Sequence, residues 1–297
     1  MRRKYIKQSV PERIIRAVIY IFMFLMCVIC LAPILHVAAC SFAEPKWLLQ
    51  QSGLVLWPKY QTIKGYGIVF SSPSLMNSYL NTFFYVGTAT TLGVLVTVMG
   101  AYVLSKREAV WSSPIMIMIS FTMLFNGGMI PTYMVVRNLG LLDTRWAMII
   151  PGCINAFNII IMRTAMNTIP KELEESAKLD GAGPMRILFS IYLPLVKATI
   201  AVIILYYALG HWNSWFSAAI YLKSRKLYPL QLMLREILMQ NDTKTITSTS
   251  DVAGESDLYK ELVQYCCIMV STVPVLFFYP FVMKYFKSGV MVGSLKG

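Results

Sequence analysis

Long apolar runs separated by short polar and basic stretches dominate this chain. A helix needs roughly 20 mostly apolar residues to cross a ~30 Å hydrocarbon layer. Six stretches meet that requirement: 14–40, 78–103, 114–136, 146–166, 195–222 and 262–283. None shows the alternation of outward apolar and inward polar residues that marks a membrane β-strand. Backbone groups in hydrocarbon must bond within their own segment, so the runs predict helices and an all-α polytopic membrane protein. Two lesser patterns lie between the last runs. Residues 227–238 place Leu227, Leu230, Leu234, Ile237 and Leu238 on one helical face, predicting a helix that lies on the membrane surface. Residues 241–257, rich in Thr, Ser and Asp, predict a flexible loop.

Composition agrees with this reading and narrows it. Of 297 residues, 57% are hydrophobic and 14% charged, and the mean hydropathy is +0.59. Soluble domains carry roughly 25% charged residues, so a water-covered globule is excluded. The distribution of Lys and Arg sets orientation. Sixteen of the 27 basic residues flank the first run, the 104–113 and 167–195 loops, and the end of the sixth run. That side is therefore expected to be cytoplasmic, with both termini on it. The organisation that follows is a cytoplasmic N-terminus at 1–13, a first transmembrane helix at 14–40 and an extracellular loop at 41–77. A transmembrane core at 78–287 then carries a cytoplasmic loop at 167–195 and an extracellular loop at 223–261, and 288–297 forms a cytoplasmic tail. The net charge of +13 reads as attraction to anionic lipid headgroups, not nucleic acid.

Several chemistries lack their residues. No Gly-Lys dipeptide exists for a phosphate loop, and the two histidines, His36 and His211, belong to no HExxH site. The six cysteines, among them Cys27 and Cys30 in one apolar run, read as small buried hydrophobes. Val37-Ala38-Ala39-Cys40 has the form of a lipoprotein cleavage box. The preceding apolar run far exceeds a signal core of about 7–15 residues, however, so a retained helix is expected. The 14 acidic residues fall almost wholly outside the runs, which leaves little to bind a driving ion at mid-membrane. An enzyme is not expected, and uphill movement of a solute would need energy from another chain.

The stretch 168–195 is the most informative. Pro170 suits the first position of a short helix whose first turns carry Glu172, Glu174 and Glu175. Asp180-Gly181-Ala182-Gly183 supplies a stop with Gly181 placed as a left-handed C-cap, and Pro184 opens a second helix that Leu193-Pro194 leads into the fifth run. The pattern Glu175-Ser176-Ala177, three residues, Gly181, nine residues, Ile191-Tyr192-Leu193-Pro194 resembles the EAA-x3-G-x9-I-x-LP loop of binding-protein-dependent ABC importer permeases. Ser176 stands where that family has Ala. The tail from Lys284 to Gly297 is similar to the C-terminus of MalG-like permeases of carbohydrate uptake systems. Residues 127–133 and 228–232 look closer to their LplC/YtcP branch, which is linked to complex oligosaccharides.

This resemblance implies a six-helix, type I (MetI-like) importer permease in a bacterial cell membrane. Its implied partners are a second, homologous permease in a heterodimer, an ATPase dimer, an extracellular solute-binding protein, a carbohydrate substrate and membrane lipid. No cofactor is expected in this chain, since ATP and Mg would sit on the ATPase subunits. It further implies that Glu174, Glu175, Ser176, Ala177, Leu179, Asp180, Gly181, Leu193 and Pro194 couple to the ATPase. Within that set, Glu174 and Glu175 would face its basic groups, with Ala177 and Leu179 in its socket. Gly293, Ser294, Leu295, Lys296 and Gly297 would reach between the two ATPases. Polar and aromatic residues within the runs are the expected substrate pathway: Asn126, Asn155, Asn158, Tyr206, Tyr207, His211, Trp212, Asn213 and Trp215. Trp212 and Trp215 fit an interfacial aromatic belt equally well. The alternatives are a secondary carrier or channel, or an ABC permease for a non-sugar solute.

Overall fold

The computed structural model describes residues 10–106, 111–239 and 256–294, the side chains of 10, 256–257 and 281–294 excepted. The helices are α1 (Val10–Ser41), α2 (Pro45–Leu48), α3 (Lys64–Ser71), α4 (Pro73–Ser105), α5 (Ser112–Leu124), α6 (Met129–Asn138), α7 (Trp146–Ile149) and α8 (Ala156–Asn167). They continue with α9 (Lys171–Leu179), α10 (Pro184–Ile187), a π turn (Leu188–Tyr192), α11 (Leu193–Leu195), α12 (Lys197–Trp212) and α13 (Trp215–Tyr221). A 3-10 turn (Arg225–Leu227), α14 (Leu230–Met239) and α15 (Ser256–Ser294) complete the order.

Among the described residues three helices are long and apolar enough to cross a membrane: Pro11–Ser41, Pro73–Ser105 and Leu258–Pro280. Two bent pairs raise the number to five, so six uninterrupted spans are not what forms. The third run divides into α5 and α6, bent by 116°. Gly128, at φ 88°, makes the break, and the Asn126 Oδ1 accepts from its N–H at 2.9 Å. The fourth run contains Pro151 and Gly152, and residues 150–155 leave the helix between α7 and α8. The Asn155 side chain then caps α8, accepting from the Asn158 N–H at 3.3 Å. In the fifth run α12 ends at Trp212, and α13 restarts at Trp215.

Two compact units form. The first comprises residues 1–72 and 243–270. Its helix α1 exposes apolar side chains from Ile14 to Leu35, as a lipid-facing span does. At its end, His36 Nδ1 accepts from the Val55 N–H at 2.9 Å, and the Ser41 and Tyr66 hydroxyls lie 2.7 Å apart. Cys40, Leu262, Val263 and Cys266 are buried there, and Cys266 donates to the Ser41 carbonyl. The cysteines here behave as apolar filler.

The second unit comprises residues 73–242 and 271–297. Helix α4 is its axis, packed along α8 and α12. One core joins Val98, Ala101 and Tyr102 of α4 to Met162 and Met166 of α8, and to Ile187, Leu188, Tyr192, Ile203 and Tyr207. Contact is close at Gly93. A Cβ there would lie 3.0 Å from the Cys153 carbonyl oxygen and from the Tyr207 ring. Helix α14 is amphipathic as expected, but its apolar face does not rest on a membrane surface. Leu230, Leu234 and Ile237 are buried, with Leu232 and Met233, against α4 and α13. Leu238 stays 38% exposed, and Leu227 belongs to the preceding 3-10 turn. Polar contacts explain the docking: the Asn81 amide donates to the Lys226 carbonyl at 2.7 Å, and Thr82 Oγ1 accepts from the Leu230 N–H at 2.8 Å. The loop expected at 241–257 lies almost wholly outside the described residues. In the tail, the backbone is helical through Gly293 and Ser294; Leu295, Lys296 and Gly297 lie outside the described residues.

Candidate coupling site and translocation cavity

The hairpin at 170–195 is built by local sequence. Helix α9 begins at Lys171, with Pro170 just outside it as N-cap, and Glu172 and Glu174 occupy the first turn where the helix dipole favours them. Its end is a Schellman turn. Gly181, at φ 76°, donates to the Lys178 carbonyl at 3.0 Å, and Ala182 donates to Ala177 at 2.9 Å. The π turn at 188–192 precedes Pro194. The proline ring has no N–H and crowds the Ser190 carbonyl four residues back, so the helix widens there. A bend of 85° at Val196 then separates this segment from α12.

Of the hairpin's three glutamates, the adjacent pair Glu174 and Glu175 point differently. Glu175 is exposed, as are Ser176 and Asp180, and Leu179 is 89% exposed. Ala177 instead packs partly buried against the chain's own core, as does Leu193, while Pro194 is exposed. Glu174 is turned inward, its side chain 12% exposed. Its carboxylate meets Lys106 Nζ at 2.6 Å and Lys178 Nζ at 3.2 Å, and accepts from the Tyr192 hydroxyl at 2.6 Å. Partial burial pushes its pKa up, but the hydrogen bonds from Lys106, Tyr192 and Lys178 outweigh that and hold it down at about 2. The Lys106 ammonium also lies 4.1 Å from the Tyr102 ring centroid and 4.4 Å from that of Tyr192. Beside this cluster opens a polar cavity of about 790 Å³, whose lining includes Arg163, Lys171 and Glu175.

A second cavity, of about 550 Å³, lies among α7, α8, α12 and α13. Asn155, Asn158, Tyr206, Tyr207 and His211 of the expected pathway line it, together with Thr132, Gly152, Phe157, Ser214, Ser217 and Tyr221. Its wall carries hydroxyls, amides and aromatic rings and, among the described residues, no Asp, Glu, Lys or Arg. Tyr207 holds it together: its hydroxyl lies 2.8 Å from Thr97 Oγ1 and accepts from the Asn155 N–H at 3.2 Å. Gly152 is there because a Cβ would lie 2.8 Å from the His211 ring. Asn126 caps the break in the third run instead. Trp212 is buried against Phe83, Asn213 bonds back to the Leu209 carbonyl, and Trp215 lies beneath Arg235, 4.0 Å from its ring centroid. Of the lining residues that the sequence did not point to, Gly152 and Phe157 lie at or just after the Pro151-Gly152 break, which is their signal in the sequence.

The chain as a whole is similar to known proteins. Residues 89–254 match the family described as binding-protein-dependent transport system inner membrane component. The polygalacturonan/rhamnogalacturonan transport system permease protein YtcP of Bacillus subtilis is 38% identical over 291 residues, covering 96% of this chain and 99% of that protein. Protein LplC of the same organism is 39% identical over 270 residues, covering 91% and 90% respectively. A chain in the crystal structure of a bacterial ABC transporter involved in the import of the acidic polysaccharide alginate superposes with a TM-score of 0.87 at 32% identity. It covers 94% of this chain, and 99% of that chain is matched. With a family match over more than half its length and relatives of this closeness along nearly all of it, the chain belongs to the inner membrane components of binding-protein-dependent transport systems.

Proposed function

We propose that this chain is the permease subunit of an ATP-driven importer that passes a carbohydrate, received from a solute-binding protein, through the cavity at Tyr207. The observation that carries this reading is the hairpin at 170–195. Its Schellman turn at Gly181 presents Glu175, Ser176 and Leu179 outward, in the pattern of a knob for a partner's socket. The relatives named for polygalacturonan/rhamnogalacturonan transport and for alginate import support a carbohydrate as the solute. A wall of tyrosines, amides and hydroxyls suits one, because sugars offer hydroxyls for hydrogen bonding and apolar faces for stacking.

The partners in this reading are a second, homologous permease and two ATPase subunits that bind ATP and Mg. The chain itself carries out no chemistry. Both termini lie in the cytoplasm, on the side of the hairpin, and the C-terminal tail reaches the ATPases. The chain crosses the membrane six times, with α7 and α8 together making the fourth crossing. Non-helical backbone at membrane depth is tolerated where it lines a cavity, and the bond from the Asn155 N–H to the Tyr207 hydroxyl supports that placement of residues 150–155.

The test is Glu175→Lys in the complete complex reconstituted in liposomes with its binding protein. The variant complex is expected to assemble and hydrolyse ATP while uptake is lost. Normal uptake by the variant, or uptake by the wild type that follows an ion gradient and not ATP, refutes the reading.

A further inference from the structure

Within the importer reading, force applied to α9 has two routes to the spans. One runs along the backbone through residues 180–196. That route is indirect: it changes direction at the Gly181 turn, the π turn and the 85° bend at Val196. The other route runs across side chains. Glu174 of α9 meets Lys106, just past the end of α4, at 2.6 Å. It also accepts from the hydroxyl of Tyr192 in the π turn at 2.6 Å. Tyr102, one turn back in α4, donates to the Pro184 carbonyl at 3.1 Å and packs edge-on against Tyr192 with ring centroids 5.1 Å apart. Three segments distant along the chain, which also share the core around Tyr102 and Tyr192, therefore converge on one ammonium group.

We propose that Glu174, Lys106 and Tyr192 form an internal strut that transmits displacement of the coupling helix directly into α4, leaving Glu175 as the glutamate that faces the ATPase. From α4 the path to the cavity is short and stiff. Gly93 lets α4 touch Cys153 and the Tyr207 ring, and Thr97 bonds the Tyr207 hydroxyl. A charged pair held in a partly dry setting resists separation, because pulling it apart takes the Lys106 ammonium from its carboxylate and leaves Glu174 to Lys178 and Tyr192. Motion of α9 is thus delivered to the cavity wall through side chains, and the loop at 180–183 need only bend. The three residues are positioning residues and touch no substrate.

The experiment uses the complete complex in proteoliposomes with its binding protein, and reads ATP hydrolysed per solute imported. Lys106→Glu sets two carboxylates side by side, and Glu174→Lys sets three ammonium groups together. Each is expected to raise the ratio by about tenfold, the scale of an ordinary coupling free energy. The double exchange of both charges is expected to bring it back to within about twofold. A role confined to stability lowers the amount of assembled complex and leaves the ratio alone, so an unchanged ratio in either single variant overturns the proposal. If the charge reversals do not assemble, Glu174→Gln and Tyr192→Phe keep the shape of the cluster and are expected to raise the ratio by a smaller factor. An unchanged ratio in both overturns the proposal equally. Failure of the importer reading is separable: there Glu175→Lys has no effect, whereas failure of the strut alone leaves Glu175→Lys uncoupled and the strut variants coupled.

Discussion

At Gly181 two reasons for a glycine, backbone conformation and lack of room for a side chain, can be told apart. Its φ is 76°, and a Cβ built on it would meet nothing within 4 Å. Within the chain, any effect of substitution is therefore a backbone effect and not a clash. An L-residue in the left-handed region costs about 1–2 kcal/mol, which is roughly a factor of 5–30 in the population of the closed turn. Asparagine tolerates this region better than alanine, and a β-branched residue tolerates it least. The order of damage should be Gly181→Asn, then Gly181→Ala, then Gly181→Val. The readout is hydrogen exchange of the Ala182 amide, which donates to Ala177 across the turn at 2.9 Å. Its exchange should quicken about 5–30-fold in the alanine variant, less in the asparagine variant and more in the valine variant. Equal damage from asparagine and valine would show that side-chain volume matters and φ does not. An alanine variant identical to the wild type would refute the argument altogether.

Two further outcomes are expected. Tyr207→Phe removes the hydroxyl shared by Thr97 and the Asn155 N–H and takes that partner from the buried Thr97 hydroxyl. It should destabilise the purified complex by about 1–3 kcal/mol, seen as a lower thermal unfolding temperature; unaltered stability and uptake would show that the hydroxyl does not brace the cavity. Glu174 has its pKa lowered from 4.5 to about 2 in the folded chain, so its contribution to stability is complete above pH about 4.5 and lost as pH falls towards about 2. The stability gap between wild type and Glu174→Gln should close on acidification through that window, and a gap that persists at the bottom of it contradicts the assigned partners.

Local and long-range interactions decide different features of this chain. Mean hydropathy along the chain was enough to place α1, α4 and the apolar part of α15, because long uninterrupted apolar runs have one stable form in hydrocarbon. Helix α9, the turn at Gly181 and the amphipathic α14 were also readable, since caps, prolines and periodicity act within a few residues. Averaging over a window conceals breaks, however. The runs at 114–136, 146–166 and 195–222 were each expected as one span, and each divides at Gly128, at Pro151-Gly152 or near Asn213. Glycine and proline marked two of these positions, but whether a break forms depends on what accepts the freed backbone groups. For Asn155 that partner is Tyr207, 52 positions away.

Direction of side chains was decided only in three dimensions. In sequence, Glu174 and Glu175 are adjacent acids on one exposed-looking helix. In the fold, a lysine from the end of α4 and a tyrosine from the π turn draw Glu174 inward and leave Glu175 outside. The same holds for the apolar face of α14, which the 3.6-residue period shows to be buried without saying against what. Its partner proved to be α4, reached through the Thr82 hydroxyl 148 positions earlier. Local sequence thus determined which segments are helical and where several of them stop, because those terms depend on near neighbours. Tertiary packing alone decided which charges pair and which polar groups share a cavity, because those energies depend on distances between residues far apart along the chain.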